Sequence, residues 1–150
     1  DSNGCLHADG WYQTGDACEQ RDDGYIKMIG RAKDIILRGG ENISPLEIEN
    51  ALLSHPCVED IAIVGYPDDR LGSRIAAVVV EANKVTLQEL RDHCQEIGLD
   101  KAKWPEFVTR LDKIPLSAIG KVQRGVLEDH VWEIIRKNPQ TSGACNETDA

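Results

Sequence analysis

The sequence predicts an α+β fold: a short mixed sheet, about three helices, and a β-hairpin ahead of them. Two β-branched runs, 58–64 and 75–80, read as core strands because turn formers bound them. Two capping signals, Ser44-Pro45 and Thr86 with Glu89, open helices whose apolar residues recur at helical spacing. From about residue 34 to residue 136 the two patterns alternate, enough chain for a core of its own.

Residues 1–24 are polar, with Asn3-Gly4, Asp9-Gly10, Thr14-Gly15-Asp16 and Asp22-Asp23-Gly24 each marking a turn. Tyr25 to Ile29 alternates, so 17–20 and 25–29 form a hairpin closed by Asp23-Gly24. Residues 30–33 connect. Asp34 to Leu37 reads as a short strand, ended by the flexible pair Gly39-Gly40. Ser44 caps the first helix, Pro45 takes its first position, and Glu47 is placed to bond back to the Ser44 amide. Ile48, Ala51 and Leu52 give that helix one apolar face, until His55-Pro56 stops it. The second helix carries Leu87, Leu90, Cys94 and Ile97 inward. Phe107 to Leu111 is another strand, and the last helix runs from Arg124 to Arg136 on Val126, Leu127, Val131, Ile134 and Ile135. Residues 138–150 hold turn formers and almost no large apolar side chain, and read as a flexible tail. Residues 1–32 are then a β-rich fragment too short to bury a core alone, and 33–137 are the folded unit.

The charge balance sorts the partners. With 17 basic and 26 acidic residues the chain carries a net charge of −9, which argues against a nucleic-acid binder. Anionic ligands must be held by a few local cations and backbone amides. At 41% apolar and 29% charged the composition is that of a soluble globular protein. No apolar run approaches the roughly 18 residues of a membrane-spanning helix, and no secretory leader is expected. The cysteines at 5, 18, 57, 94 and 145 are odd in number and form no C-x2-C, and the histidines form no H-E-x-x-H. Neither a disulfide framework nor a metal site is expected. The thiols read as idle in a reducing, cytoplasmic compartment. The chain opens on Asp1 in what reads like a mid-protein loop, so it is expected to be a piece of something longer.

Several residues admit two readings. Gly120-Lys121 suggests a phosphate loop, but Pro115 stands where the first glycine of such a loop belongs, and Val122 follows the lysine instead of Ser or Thr. Lys121 is therefore either a solvated surface cation or a cation swung into a site by the glycine beside it. Asp16 is either a turn former bonding its own backbone or a carboxylate that accepts both hydroxyls of a ribose. Arg31 is either an ion-pair partner for the nearby acids or a donor to that same sugar. Gly39-Gly40 is either a bulge or a place where a ligand runs against bare backbone.

These features occur as an ordered series. Gly10-Trp11-Tyr12-Gln13-Thr14-Gly15-Asp16 is followed by Asp23-Gly24-Tyr25-Ile26 and Gly30-Arg31-Ala32-Lys33-Asp34-Ile35-Ile36. Then come 39–49 (GGENISPLEIE), His55-Pro56, Val64-Gly65-Tyr66-Pro67-Asp68 and Gly120-Lys121-Val122-Gln123-Arg124. The series resembles the acyl-adenylate-forming superfamily, from residue 9 to about residue 128, with the order intact. The matching part is that superfamily's C-terminal domain, as found in acyl-CoA synthetases, plus the last stretch of the large N-terminal domain. Two segments depart from the pattern: Ala102-Lys103-Trp104-Pro105, and the loop 114–121, where Ser117 replaces the usual Thr.

The resemblance implies roles. Asp16 and Arg31 would hold the ribose of the adenylate. Lys33 would be the hinge about which the small domain rotates. Lys121 would be the adenylation lysine, an ammonium that offsets the charge building up as a carboxylate attacks the α-phosphate. Gly39 and Gly40 would arrive after rotation to wall the pantetheine tunnel, with Arg38, Arg70 and Arg74 either meeting the nucleotide phosphates of CoA or forming a solvated face. ATP, CoA and Mg²⁺ are the implied cofactors, and the missing N-terminal domain and a carboxylic acid of fatty type are the implied partners. The chain alone is expected to be inactive. Two other functions stay open: an adenylation domain that loads a carrier-protein phosphopantetheine, and a non-catalytic domain that retains the scaffold.

Overall fold

In the computed structural model, which describes His7 and residues 9–137, β1 (Asp16–Gln20) and β2 (Ile26–Arg31) come first. A 3-10 turn (Ala32–Asp34) leads to β3 (Ile36–Arg38), β4 (Glu41–Ile43) and helix α1 (Pro45–Leu52). β5 (Val58–Asp68), β6 (Gly72–Glu81), α2 (Leu87–Glu96), a 3-10 turn (Lys101–Lys103), β7 (Phe107–Arg110) and α3 (Arg124–Lys137) complete it. The fold is α+β. The tail 138–150, with Cys145, and the turn at Asn3-Gly4, with Cys5, lie outside the described residues.

The three-stranded sheet has the order β5-β6-β7, with β5 antiparallel and β7 parallel to β6, so it is mixed. Its side chains alternate between two faces, as the period of a strand demands. Ile61, Ile63, Ile75, Ala77, Val79 and Val108 pack with Ile48 and Leu52 of α1 and with Leu90 and Cys94 of α2. Ala62, Val64, Tyr66, Ala76, Val78 and Phe107 pack on the opposite face with Leu127, Val131 and Ile135 of α3. β6 is thus buried on both faces, which accounts for its unbroken apolar run. Each large aliphatic side chain so buried contributes about 1.5–3 kcal/mol. No helix among the described residues is long and apolar enough to cross a membrane.

The helix starts follow the capping chemistry, with one difference. Thr86 and Glu89 form the full reciprocal capping box. At α1 the Ser44 hydroxyl oxygen accepts from Glu47 N, but the Glu47 carboxylate does not return the bond; it pairs with Lys103 Nζ at 2.7 Å. Ser44 instead donates to Ile29 O and so joins α1 to β2.

Other expectations need correction. Asp34 lies in a 3-10 turn, and the strand begins at Ile36. Gly39 and Gly40 are the tip of the β3–β4 hairpin, with φ +58° and +88°, the type I′ geometry that a two-residue connection selects. They are thus a defined turn rather than a flexible pair. β4 was unforeseen. β5 continues through Gly65-Tyr66-Pro67, which an edge strand tolerates because the missing N–H of Pro67 need not serve the ladder. Val126 and Ile97 were expected inward but are exposed. The stripe 127, 131, 135 sets the phase of α3 and turns Val126 about 100° off it.

Candidate functional site

The β1–β2 register sets Asp16 directly opposite Arg31. Arg31 Nε stands 3.2 Å from Asp16 Oδ1, and Nη1 donates to Thr14 O at 2.8 Å. Gly15 makes this possible with φ +74°, and its O accepts from Ala32 N. A carboxylate and a guanidinium are thereby held side by side on an exposed edge, the arrangement that two adjacent hydroxyls would meet.

Lys33 follows in the exposed 3-10 turn, between Arg31 and Asp34. Asp34 Oδ2 lies 3.5 Å from Arg124 Nε at the start of α3. Arg124 goes on to grip Glu49 of α1, Nη1 to Oε1 at 2.7 Å and Nη2 to Oε2 at 3.1 Å, and donates to Ile63 O at 2.6 Å. Glu49 is only 7% exposed and also accepts from Ile63 N at 2.8 Å. Burial works against the charge on Arg124, but its bonds to Glu49 and the nearby Asp34 outweigh that and raise its pKa. Burial, then the Asp34 and Asp129 carboxylates, push Glu128 up from the usual carboxylate range.

Lys121 sits on a tight hairpin turn. Gly120 N donates to Ser117 O at 2.9 Å, Ser117 N to Lys121 O at 2.7 Å, and Lys121 N to Ser117 Oγ at 3.1 Å. Leu116 and Val122 pair across its base. This is a type I turn closed by a glycine in the left-handed region, Gly120 at φ +75°. Gly120 is therefore the closing residue of a hydrogen-bonded turn beside Lys121. The lysine side chain is exposed.

One cleft of about 890 Å³ is bordered by Arg31, Lys33, Asp34, Lys121, Arg124 and Glu128. Asp16 borders a smaller one of about 280 Å³ that shares Arg31, Asp34 and Arg124 with it. Three sequence candidates, Arg31, Lys33 and Lys121, therefore share one cleft, and Asp16 adjoins it through its pairing with Arg31. Gly39 and Gly40 do not border either cleft; their hairpin docks on the β5–β6 turn through Gly39 N to Leu71 O at 2.8 Å. Beside them, Arg38 pairs with Glu106 at 3.1 Å and Arg74 with Asp68, while Arg70 stays exposed.

Sequence reasoning missed Glu49, Asp34 and Arg124 as a cluster. One signal was present: Glu49 lies between Ile48 and Leu52 on the inward side of α1, where a carboxylate needs a buried partner. No group of three or more His, Cys, Asp or Glu side chains among the described residues converges as metal ligands.

The AMP-binding enzyme C-terminal domain family model matches residues 47–121. The chain is 39% identical over 145 residues to the medium-chain fatty-acid–CoA ligase of Escherichia coli, covering 95% of this chain and 25% of that protein. Among solved structures it is similar to the o-succinylbenzoate CoA synthetase of Bacillus subtilis in complex with an acyl-adenylate intermediate. That likeness has a TM-score of 0.77 and 36% identity, over 85% of this chain and 26% of that one. It is also similar to ATP-bound MatB from Rhodopseudomonas palustris, with a TM-score of 0.75 and 32% identity, over 88% of this chain and 26% of that one. The chain spans about a quarter of the length of the proteins it matches.

Proposed function

Because the chain belongs to the AMP-binding enzyme C-terminal domain family and is similar to acyl-CoA ligases, we propose that it is the C-terminal part of an ATP-dependent acid–thiol ligase. The full-length protein would join a carboxylic acid of fatty type to AMP and then to CoA. Residues 1–32 would end a large N-terminal domain, and 33–137 would form the mobile small domain. The 150-residue chain alone would be inactive. CoA is favoured over a carrier protein because the E. coli and B. subtilis relatives are CoA enzymes by name. A reducing, cytoplasmic setting is part of the same proposal; the described thiols, Cys18, Cys57 and Cys94, are free.

The observation that carries this reading is the exposed Lys121, on a bonded loop and on the same cleft as Arg31 and Lys33. In the first step a carboxylate oxygen attacks the α-phosphorus of ATP and the bond to pyrophosphate breaks. Two anions must approach, and an ammonium between them offsets the charge that develops. Asp16 and Arg31 would hold the ribose hydroxyls. In the second step the thiol sulfur attacks the acyl carbon and AMP leaves. Lys33 is then the pivot that withdraws Lys121 and brings up Gly39-Gly40, whose side-chain-free backbone suits a narrow pantetheine channel. Mg²⁺ would accompany ATP; among the described residues no group of three or more His, Cys, Asp or Glu side chains converges to hold it.

The test is Lys121→Ala in the full-length protein. Acid-dependent pyrophosphate exchange should fall about 10²–10³-fold, while thioester formation from supplied acyl-AMP persists. Equal loss of both would refute the role given to Lys121.

A further inference from the structure

Two ion pairs bracket the proposed pivot. On its N-terminal side Arg31 is tied to Asp16 at 3.2 Å, and on its C-terminal side Asp34 is tied to Arg124 at 3.5 Å. Ala32 and Lys33 are the link between them. Arg124 is not a loose partner. Both of its terminal nitrogens are spent on Glu49 and Ile63 O, which leaves Nε for Asp34.

From these contacts we infer that Asp34 and Arg124 are positioning residues, a brace that fixes the first residue beyond the pivot to the start of α3 and so carries Lys121 with it. The inference rests on the reading of Lys33 as pivot and Lys121 as adenylation lysine. Its physical content is a short cut. Lys121 is 88 residues from Lys33 along the chain, yet Arg124 stands three residues past Lys121 and touches the residue after Lys33. With the brace in place, a change of φ/ψ at Lys33 is transmitted to the Lys121 loop without being absorbed in 34–36. Gly39-Gly40 needs no such brace, because β3 joins it directly to the pivot segment. Weakening the brace should therefore impair the step that uses Lys121 and spare the step that uses the glycine pair.

Asp34→Asn is the sharp variant, since it removes the charge, keeps the shape and leaves the Arg124–Glu49 pair intact. In the full-length protein, pyrophosphate exchange should lose about tenfold in kcat with KM for ATP unchanged, as expected of a misplaced rather than absent group. Thioester formation from supplied acyl-AMP should stay at the parental rate, and the thermal midpoint should not fall. Asp34→Glu should restore most of the exchange rate, which a general packing defect would not predict. Lys121→Ala is run beside it. If Lys121→Ala abolishes exchange and Asp34→Asn leaves it intact, the brace is overturned and the Lys121 reading stands. If Asp34→Asn slows both half-reactions equally, or lowers exchange only by unfolding the protein, the brace is likewise overturned. If Lys121→Ala itself leaves exchange intact, the underlying reading fails and the inference falls with it.

Discussion

Arg124 and Glu49 meet fork to fork across the junction of α3 and α1, with Nη1 2.7 Å from Oε1 and Nη2 3.1 Å from Oε2. Both side chains are largely withdrawn from water, at 16% and 10% exposure. Such a pair is costly to bury and costlier to break, because removing one partner strands the other. It also holds β5, since Ile63 contributes its N–H to Glu49 and its carbonyl to Arg124.

Glu49→Ala should therefore lower unfolding free energy by about 3–5 kcal/mol, read from urea unfolding midpoints at constant slope. Arg124→Met combined with Glu49→Leu should recover much of that loss, because it removes both charges and fills the volume with apolar groups. If Glu49→Ala unfolds like the parent, the pair contributes nothing to the fold, and Arg124 loses its fixed orientation toward Asp34.

Tyr66 gives an alkaline signature. It is 3% exposed, with its ring edge-on to Phe107, and burial, then the Glu106 carboxylate, raises its phenol from 10.0 to about 12 against the pull of Arg74. The folded state holds this proton where the unfolded state has released it. Its contribution is thus complete below pH 10 and lost as pH climbs from 10 toward 12, an amount on the order of 2–3 kcal/mol. Stability measured across that window should fall more steeply for the parent than for Tyr66→Phe. Parallel curves would show that the phenol is not perturbed.

What the sequence made legible is mostly what is local. Thr86 with Glu89, Ser44 with Pro45, and Asp23-Gly24 each act within four residues, and each produced the element expected of it. β4 is not legible in the sequence because Glu41-Asn42-Ile43 has no β pattern of its own; it is a strand only because the Gly39-Gly40 turn folds it onto β3. Val126 was misplaced because neighbouring apolar residues on a helix do not share a face, and only the packing of Leu127 against the sheet fixes the phase. The site divides in the same way. Asp16, Arg31 and Lys121 stand out through the short motifs around them, whereas the Asp34–Arg124–Glu49 cluster joins residues 90 and 75 positions apart that only the fold brings together.

Gly40 separates the two proposed half-reactions from the side opposite Lys121. Its φ of +88° lies where an L-residue is strained, yet a Cβ there would meet nothing within 4 Å. Gly40→Ala should thus cost about 1–2 kcal/mol of stability through backbone strain alone. Its functional effect should be confined to the thiol. Pyrophosphate exchange should continue at the parental rate, because Gly40 borders neither of the clefts that hold Lys121 and Asp16. Thioester formation from supplied acyl-AMP should slow, with KM for CoA rising as the added methyl and the relaxed turn narrow the channel. The comparison is informative because Lys121→Ala is expected to do the reverse in the same pair of assays. Should Gly40→Ala slow exchange and leave thioester formation untouched, the glycine hairpin would belong to the adenylation face, and the exchange of faces about Lys33 would have to be abandoned.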